Sequence, residues 1–275
     1  MRQFLPLLWT LNSSNLLFVS QSFATDSHQM HRGIRRLSQT LSSRSMMKLD
    51  SPSAQRNKQP ILEVLSNNVL PRLQIPSDNH QTLRVLEVAA GCGVHTEHFA
   101  LALSEQFEKG SVKWYPTDPM QESLASIQCY IDDRADVLSD IVAPPMSLTL
   151  DSSGIQESTT KTELFASSAK STLDVIICIN MIHISPWQAT LGLMKLAGET
   201  LSEKGCLYCY GPYKIGGTAV ESNLNFDASL RSRNPSWGVR DIEVVMEAAS
   251  KEGLGLVEKI EMPANNLSLI FQRKR

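Results

Sequence analysis

The sequence predicts an α/β fold in which a mainly parallel sheet carries helices on both faces. From residue 60 onward, helical and strand-like patterns alternate along the chain. Residues 173–180 form an almost continuous apolar run, which is typical of a central parallel strand buried on both faces. With 275 residues and 42% hydrophobic content, the chain can build one large domain. We therefore expect a single α/β domain over residues 49–275, after an N-terminal leader.

Apolar periodicity and chain-breaking residues place the elements in order. The predicted helices cover residues 61–70, 96–107, 120–131, 186–203 and 241–251. The predicted strands cover residues 85–89, 112–115, 146–150, 173–180, 206–210, 256–261 and 267–272. The last two strands are joined by a turn-rich link, so we expect them to form an antiparallel hairpin. Residues 152–171 are polar and without clear periodicity, which predicts a surface insertion.

The most informative segment is residues 84–95, RVLEVAAGCGVH. It predicts an apolar strand, a turn containing Gly91 and Gly93, and the start of a helix whose free amides can meet a ligand. Glu87, four residues before Gly91, suits a ligand with an ammonium or sulfonium group better than one with a pyrophosphate. A dinucleotide site would also need a third glycine where Thr96 stands. These residues favour S-adenosylmethionine over NAD as the cofactor.

Further cofactor residues are predicted at the ends of the next strands. Asp118 follows the second strand, where open α/β sheets bind ligands, and its carboxylate can accept hydrogen bonds from two ribose hydroxyls. Its alternative role is that of a turn residue before Pro119. Asp151 ends the third predicted strand and is the candidate for adenine contacts. His95 is a candidate cofactor-pocket residue at the start of the helix.

The acceptor side is predicted from the fourth and fifth strands. Asn180 ends the fourth strand, beside the expected position of the reacting methyl group, and His183 follows it. An imidazole can accept a proton near neutral pH, so His183 is a candidate general base, with a buried structural histidine as the alternative.

Residues 211–240 are far longer than a strand-to-helix connection requires, which predicts a lid over the acceptor. Within this stretch Tyr213, Asn223 and Asp227 are candidates for holding the acceptor, Tyr213 also as a catalytic residue; their alternative is a brace for the loop. Trp237 is either a wall of the cleft or part of the core.

Charge and composition exclude several classes of function. Residues 1–48 carry six Lys or Arg against one Asp, so their charge of +5 leaves −7 for the rest, which does not favour nucleic-acid binding. The leader is rich in Ser, Thr and Arg, which is typical of an organelle transit peptide; a secretory signal and a disordered tail are alternatives. No later segment has about 18 uninterrupted apolar residues, so we expect no membrane span.

We also expect no metal site. Cys206 and Cys209 have the spacing of half a zinc site, but on a strand they would face opposite sides, and no second pair accompanies them. His95 and His98 lack a third ligand, and the five cysteines are expected to be reduced core thiols.

Several separate blocks resemble the methyltransferase-like 26 family of class I S-adenosylmethionine-dependent methyltransferases. They are RNK at 56–58, GCGVH at 91–95, NMIHISPW at 180–187, YGPY at 210–213, ESN at 221–223, FD at 226–227, WGVRD at 237–241 and MPANN at 262–266. The resemblance implies a seven-stranded class I methyltransferase fold. It also implies that Arg56 and Asn57 lie where the class often closes over the methionine carboxylate, which an arginine can bind with two hydrogen bonds. A solvated surface cluster is the alternative for these residues.

The resemblance has two departures, because Ala89 replaces the usual first glycine of the loop and the polar stretch 152–171 is longer than usual. The segment at 180–183 indicates a small-molecule acceptor. A catalytically idle cofactor-binding module and an NAD-dependent oxidoreductase stay open as alternatives.

Overall fold

The computed structural model describes residues 47–73, 82–156 and 173–274. Of the predicted leader only the last two residues fall in these ranges, and most of the predicted insertion at 152–171 lies outside them. Lys48 already belongs to the fold, since its Nζ lies 2.7 Å from Oδ2 of Asp133 and 3.8 Å from the centre of the Tyr130 ring.

The strands in chain order are β1 (Leu83–Val88), β2 (Val112–Asp118), β3 (Met146–Ser147), β4 (Leu150–Asp151), β5 (Gly154–Ile155), β6 (Leu173–Ile179), β7 (Leu201–Gly211), β8 (Tyr213–Lys214), β9 (Arg240–Asp241), β10 (Leu254–Met262) and β11 (Asn266–Arg273). The helices are α1 (Pro52–Val64), α2 (Val94–Gln106), α3 (Gln121–Asp132), α4 (Ala135–Leu138), α5 (Trp187–Thr200), α6 (Glu221–Arg233) and α7 (Ile242–Lys251). A π-helical segment (Leu65–Val69) and a 3-10 turn (Leu70–Arg72) extend α1.

Seven of these strands form one sheet with the neighbour order β3, β2, β1, β6, β7, β11, β10. β11 is antiparallel to both of its neighbours, and the other pairs are parallel. The mainly parallel sheet and the C-terminal hairpin are therefore confirmed. This hairpin also distinguishes the architecture from the dinucleotide-binding one that the sequence left open.

The core lies on both faces of the sheet. Neighbouring positions on each central strand alternate between two apolar clusters: Leu86 and Ile176 face one side, and Val85 and Ile177 face the other. The first cluster is closed by α5 and α7, for example through Leu193. The second is closed by α1, α2 and α3, through Ile61, Phe99 and Ile127.

Several elements differ from the sequence prediction. β7 begins at Leu201, inside the predicted helix 186–203, which ends at Thr200. α1 begins at Pro52 rather than at residue 61, because the Ser51 hydroxyl caps it by accepting from the Ala54 amide at 3.3 Å. The third strand ends at Ser147, and the next residues form the separate β4–β5 hairpin. The long connection after β7 contains α6, which the sequence did not predict.

The carboxyl ends of the central parallel strands share one edge of the sheet. There the Ala90 amide donates to the Thr117 carbonyl, and the Asn180 amide donates to the Tyr210 carbonyl, both at 2.8 Å. Asn180 turns the chain with a φ of 60°, a left-handed conformation that asparagine tolerates better than most residues. Among the described helices, none is both long and apolar enough to cross a bilayer.

Candidate functional site

A cavity of about 630 Å³ opens at this edge. It is enclosed by α1, by the residues that follow β6 and β7, by α6, and by the link between β10 and β11. Its polar lining residues are Ser53, Arg56, Asn57, Asn180, His183, Tyr210, Asn223, Arg233 and Asn266. Its apolar lining residues are Pro60, Ile184, Pro212, Phe226, Pro263 and Ala264.

The structure brings five of the sequence-predicted residues together around this cavity: Arg56, Asn57, Asn180, His183 and Asn223. They come from three separate segments, α1, the loop after β6 and α6, which only the folded chain brings together. Asn223 has a bracing role as well, since its Nδ2 donates to the Asn265 carbonyl at 2.9 Å.

The other lining residues were not predicted as site residues, and the aromatic and long polar ones among them are Tyr210, Phe226, Arg233 and Asn266. Tyr210 follows the alternation of a buried strand, and the other three belong to segments without apolar periodicity. The FD and MPANN blocks of the family resemblance were the available signal for Phe226 and Asn266.

Asn57 links the cavity to α2, the helix that carries His95. Its Oδ1 lies 2.7 Å from Nε2 of His95, and its side chain also hydrogen-bonds the Tyr210 hydroxyl. Burial, helped by nearby His98 and Lys58, lowers the pKa of His95 to about 4, so the ring is neutral at physiological pH. A neutral ring can donate from Nε2 to the Asn57 carbonyl oxygen. His95 therefore positions Asn57 from behind and does not line the cavity.

His183 lines the cavity as a buried, neutral imidazole. Burial, and secondly the charge of Arg240, lowers its pKa to about 4. Its ring meets the Phe226 ring edge-on, with the ring centres 5.5 Å apart. The absence of a side chain at Gly211 allows this approach, because a Cβ there would lie 3.1 Å from Nδ1. A base with so low a pKa holds a proton weakly, so the neutral ring of His183 is suited to a hydrogen-bonding contact with a ligand rather than to deprotonation of a weak acid.

The loop that carries His183 is tied to the predicted lid. The His183 carbonyl accepts from the Gly238 amide at 3.0 Å. The Arg240 guanidinium donates to the carbonyls of Ile182 at 3.3 Å and Ser185 at 2.8 Å. These bonds fix the position of His183 relative to the residues that follow α6.

The glycine loop lies at the tip of β1. A Cβ at Gly91 would meet nothing within 4 Å, so this backbone faces open space, whereas a Cβ at Gly93 would lie 2.9 Å from Cα of Ile127. Gly93 is therefore required for packing against α3, and Gly91 is the position where a ligand can approach the backbone.

Asp118 lies at the tip of β2 beside this loop. Its Oδ2 accepts from the Gly91 amide and its Oδ1 from the Met120 amide, both at 2.9 Å. Burial raises the pKa of this carboxyl, although the hydrogen bonds oppose the shift.

Glu87 lies beneath the glycine loop rather than in the cavity. Its Oε2 accepts from the Thr96 hydroxyl at 2.7 Å and from the Trp114 indole at 2.8 Å. Burial raises the pKa of Glu87 to about 7 against the effect of these two bonds. The Glu87 carboxyl could act on the ammonium group of a ligand only through the glycine loop that lies between them.

Two residues predicted to hold the methyl acceptor, Tyr213 and Asp227, do not line the cavity. Tyr213 packs in the apolar cluster beneath the sheet, and its buried hydroxyl has no hydrogen-bond partner among the described residues. Asp227 accepts from Lys214 at 2.7 Å, from Arg231 at 3.1 Å and from the Val239 amide at 2.7 Å. Burial opposes ionisation, but these bonds hold the pKa of Asp227 below its usual value. Asp227 therefore braces the connection and Tyr213 packs in the core, while their acceptor roles stay predictions.

Trp237 and Asp151 also lie outside the lining. Trp237 packs against the Arg233 guanidinium, 5.8 Å from the ring centre. Asp151 lies on the β4–β5 hairpin, because the chain leaves the sheet at Ser147, and its carboxylate accepts from Ser153 and Gln156. Within the described ranges, no group of three or more His, Cys, Asp or Glu residues is arranged to hold a metal.

Residues 48–273 match the family described as "Protein of unknown function (DUF938)". The chain belongs to this family. The DUF938 match covers nearly all of the described domain, including every residue that lines the cavity.

Solved structures show which fold this DUF938 domain shares. An O-methyltransferase family protein from Burkholderia thailandensis has a TM-score of 0.55 at 12% identity, covering 90% of this chain and 70% of that one. Magnesium protoporphyrin IX methyltransferase from Synechocystis PCC 6803, solved with bound SAH, has a TM-score of 0.52 at 11% identity over 90% and 100% of the two chains. An O-methyltransferase family 2 protein from Planctomyces limnophilus, in complex with apigenin, has a TM-score of 0.54 at 16% identity over 85% and 68%. The DUF938 chain thus has the class I methyltransferase fold.

Proposed function

We propose that this DUF938 protein binds S-adenosylmethionine and transfers its methyl group to a small-molecule acceptor. The observation that carries the proposal is the position of the cavity. Asn180 lines it at the tip of β6, and β6 is the neighbour of β1, whose tip carries the open Gly91 backbone bonded to Asp118. A cofactor at the tips of β1 and β2 would therefore direct its reactive end toward the cavity.

The residues present fit such a cofactor. The open space at Gly91 admits a ligand against the backbone. The oxygens of Asp118 accept from the Gly91 and Met120 amides, and the carboxylate also accepts from the Ser123 side chain. Of its roughly four lone-pair sites, about one stays for a ribose hydroxyl. Arg56 lines the cavity and forms no ion pair within the described residues, so its guanidinium is available for the methionine carboxylate. When bound, the cofactor supplies a methyl group already activated by its sulfonium.

The cavity is suited to the acceptor. Its volume of about 630 Å³ falls within the range of small-molecule sites, and its walls combine apolar groups with amides. Because the methyl group is already activated, the residues need mainly to align the acceptor and exclude water. Phe226, Ile184 and Asn180 lie where they can do this. The small molecule bound by the Planctomyces neighbour is consistent with this kind of acceptor.

The finer assignments belong to the same proposal. The blocks at 180–187 and 262–266, which carry the methyltransferase-like 26 resemblance, contribute six residues to the cavity lining, which supports membership of that group. We also propose that the basic residues 1–48 direct the protein to an organelle, a role supported by their composition.

The test is calorimetric titration of the full chain with SAH, beside NAD as the competing ligand. We expect binding of SAH and none of NAD. Asp118→Asn should weaken SAH binding about tenfold or more, because it removes the charge that accepts the ribose hydroxyls. Asp136→Asn, on exposed α4, is the matched control and should bind normally. Binding of NAD in place of SAH would contradict the proposal, and SAH binding without turnover of S-adenosylmethionine would indicate the idle binding module.

A further inference from the structure

The charged groups on the cavity wall are unbalanced. Among the described lining residues there are two guanidinium groups, Arg56 and Arg233, and no carboxylate. Other basic side chains nearby are engaged: Lys214 and Arg231 contact Asp227, and Arg240 donates to backbone carbonyls. The wall therefore carries two positive charges that no side chain of the described lining neutralises.

Arg233 is the one that the proposed cofactor does not use. It is the last residue of α6, and its Nε donates to the Ser229 carbonyl at 3.3 Å while its guanidinium packs against Trp237. Arg231, two positions earlier on the same helix, forms an ion pair with Asp227 at 3.1 Å. The terminal nitrogens of Arg233 have no protein acceptor within the described part of the chain. Arg233 is exposed, and its planar guanidinium with terminal N–H donors is suited to binding a carboxylate.

The remaining titratable groups on the wall are neutral. His183 is a weak base with a pKa of about 4, and burial raises the pKa of the Tyr210 hydroxyl above its usual value. A phenol or an ammonium group must lose a proton before or during methyl transfer, and no described lining residue is a strong base for that step. A carboxylic acid is already ionised at neutral pH and needs no such base.

Building on the proposed function, we propose that the acceptor is a small apolar molecule bearing a carboxylate, which Arg233 binds and which is methylated on oxygen. One carboxylate oxygen accepts from Arg233, while the other attacks the sulfonium methyl carbon with a lone pair. The new O–CH₃ bond forms as the C–S bond breaks, and its electron pair stays on sulfur. The products are a neutral methyl ester and a neutral thioether, and no proton is released.

The experiment uses the full chain, isotopically labelled S-adenosylmethionine and a small-molecule extract of the source cells. We expect the label to enter a product that releases it as methanol in mild alkali, which is the behaviour of a methyl ester. Label in an alkali-stable ether, amine or phosphodiester would overturn the inference and leave the proposed function intact. If SAH binds but no label is transferred, the inference is also overturned. Failure to bind SAH would contradict the proposed function itself.

Variants of Arg233 give a second, independent readout. Arg233→Gln should raise KM for the acid roughly tenfold to a hundredfold with little change in kcat, and Arg233→Lys should recover part of that loss. Arg134→Gln, on the distant α4 side, is the control. Direct calorimetry without the methyl donor should show that the wild type binds the acid more tightly than its neutral primary amide, and that Arg233→Gln does not. Equal binding of acid and amide by the wild type would overturn the inference.

Discussion

The backbone amide of Gly91 donates a 2.9 Å hydrogen bond to Oδ2 of Asp118, which ties the tip of β1 to the tip of β2. The sequence offered two roles for Asp118, a ribose acceptor and a turn residue before Pro119. Asp118 has the turn role in the structure, because it accepts from the Met120 amide, and its carboxylate keeps lone-pair capacity for a ribose hydroxyl. The same carboxylate can therefore shape the glycine loop and meet a ligand.

The two glycines of the loop should respond differently to alanine. A methyl group at residue 91 meets open space, so Gly91→Ala should lower the free energy of unfolding by only about 1 kcal/mol, which is the strain of a side chain at a left-handed φ of 62°. The added methyl group should nevertheless block the approach of a ligand and reduce SAH binding. Gly93→Ala collides with Ile127 and should cost about 3 kcal/mol. Urea denaturation and calorimetry measure the two effects. Equal stability losses would contradict this division.

Glu87 should make stability depend on pH. Burial raises its pKa from 4.5 to about 7 in the folded chain, so the native state retains a proton that the unfolded chain releases. Its stabilising contribution is therefore complete below about pH 4.5 and is lost as the pH rises through about 7. Glu87→Gln removes this titration, and its free energy of unfolding relative to wild type should rise by about 2–3 kcal/mol between pH 5 and pH 8.

Urea denaturation at the two pH values measures this change. Exposed Glu63→Gln serves as the control and should follow the wild type at both. Parallel curves for Glu87→Gln and wild type would show that the carboxyl titrates normally in the fold.

Asp227 should stabilise the connection that carries α6. Asp227→Ala leaves the Lys214 ammonium and the Val239 amide without their acceptor, so we expect a loss of about 2–3 kcal/mol. Limited proteolysis should then cut within residues 212–240 faster than in the wild type. Glu247→Ala, which removes only an exposed ion pair with Lys251 on α7, should change stability little and should not increase cleavage there. If both variants were cleaved alike, Asp227 would not be the brace.

Ala89 adopts a φ of 55°, in the left-handed region where most class I enzymes have glycine. Ala89→Gly relieves a strain of about 1–2 kcal/mol but adds freedom to the unfolded chain, so stability should stay level or rise slightly. Ala90→Gly has no strain to relieve, since Ala90 does not have a positive φ, and should lose about 1 kcal/mol. Thermal unfolding of the two variants measures this difference in stability. A larger loss of stability for Ala89→Gly than for Ala90→Gly would contradict the prediction.

The sequence predicted the sheet well because its signals are local. A buried run such as 173–180 and a turn-rich link such as 262–266 reveal a central strand and a hairpin without knowledge of the rest. α6 gave no such signal, since its buried residues are Asn223, Asp227 and Leu230, two of them polar. A helix held by hydrogen bonds and ion pairs has no apolar periodicity to detect.

The candidate site was predictable in part for a related reason. Asn180 and His183 follow a strand whose end is clear, so their place at the sheet edge could be inferred. Tyr213 could not, because neighbouring residues of an extended chain face opposite sides: Pro212 lines the cavity and Tyr213 enters the core. The fold of the whole connection decides which of the two meets a ligand.

On α6, Asn223, Phe226 and Arg233 are three and then seven residues apart, a spacing that sets them along one helical stripe toward the cavity. The cofactor candidates Gly91 and Asp118 belong to other segments of the chain. Under the proposed function, exchanging this stripe would change the choice of acceptor while the residues that bind the cofactor stayed the same. Thirteen consecutive residues thus form a module in which new selectivity can evolve without disturbing the sheet.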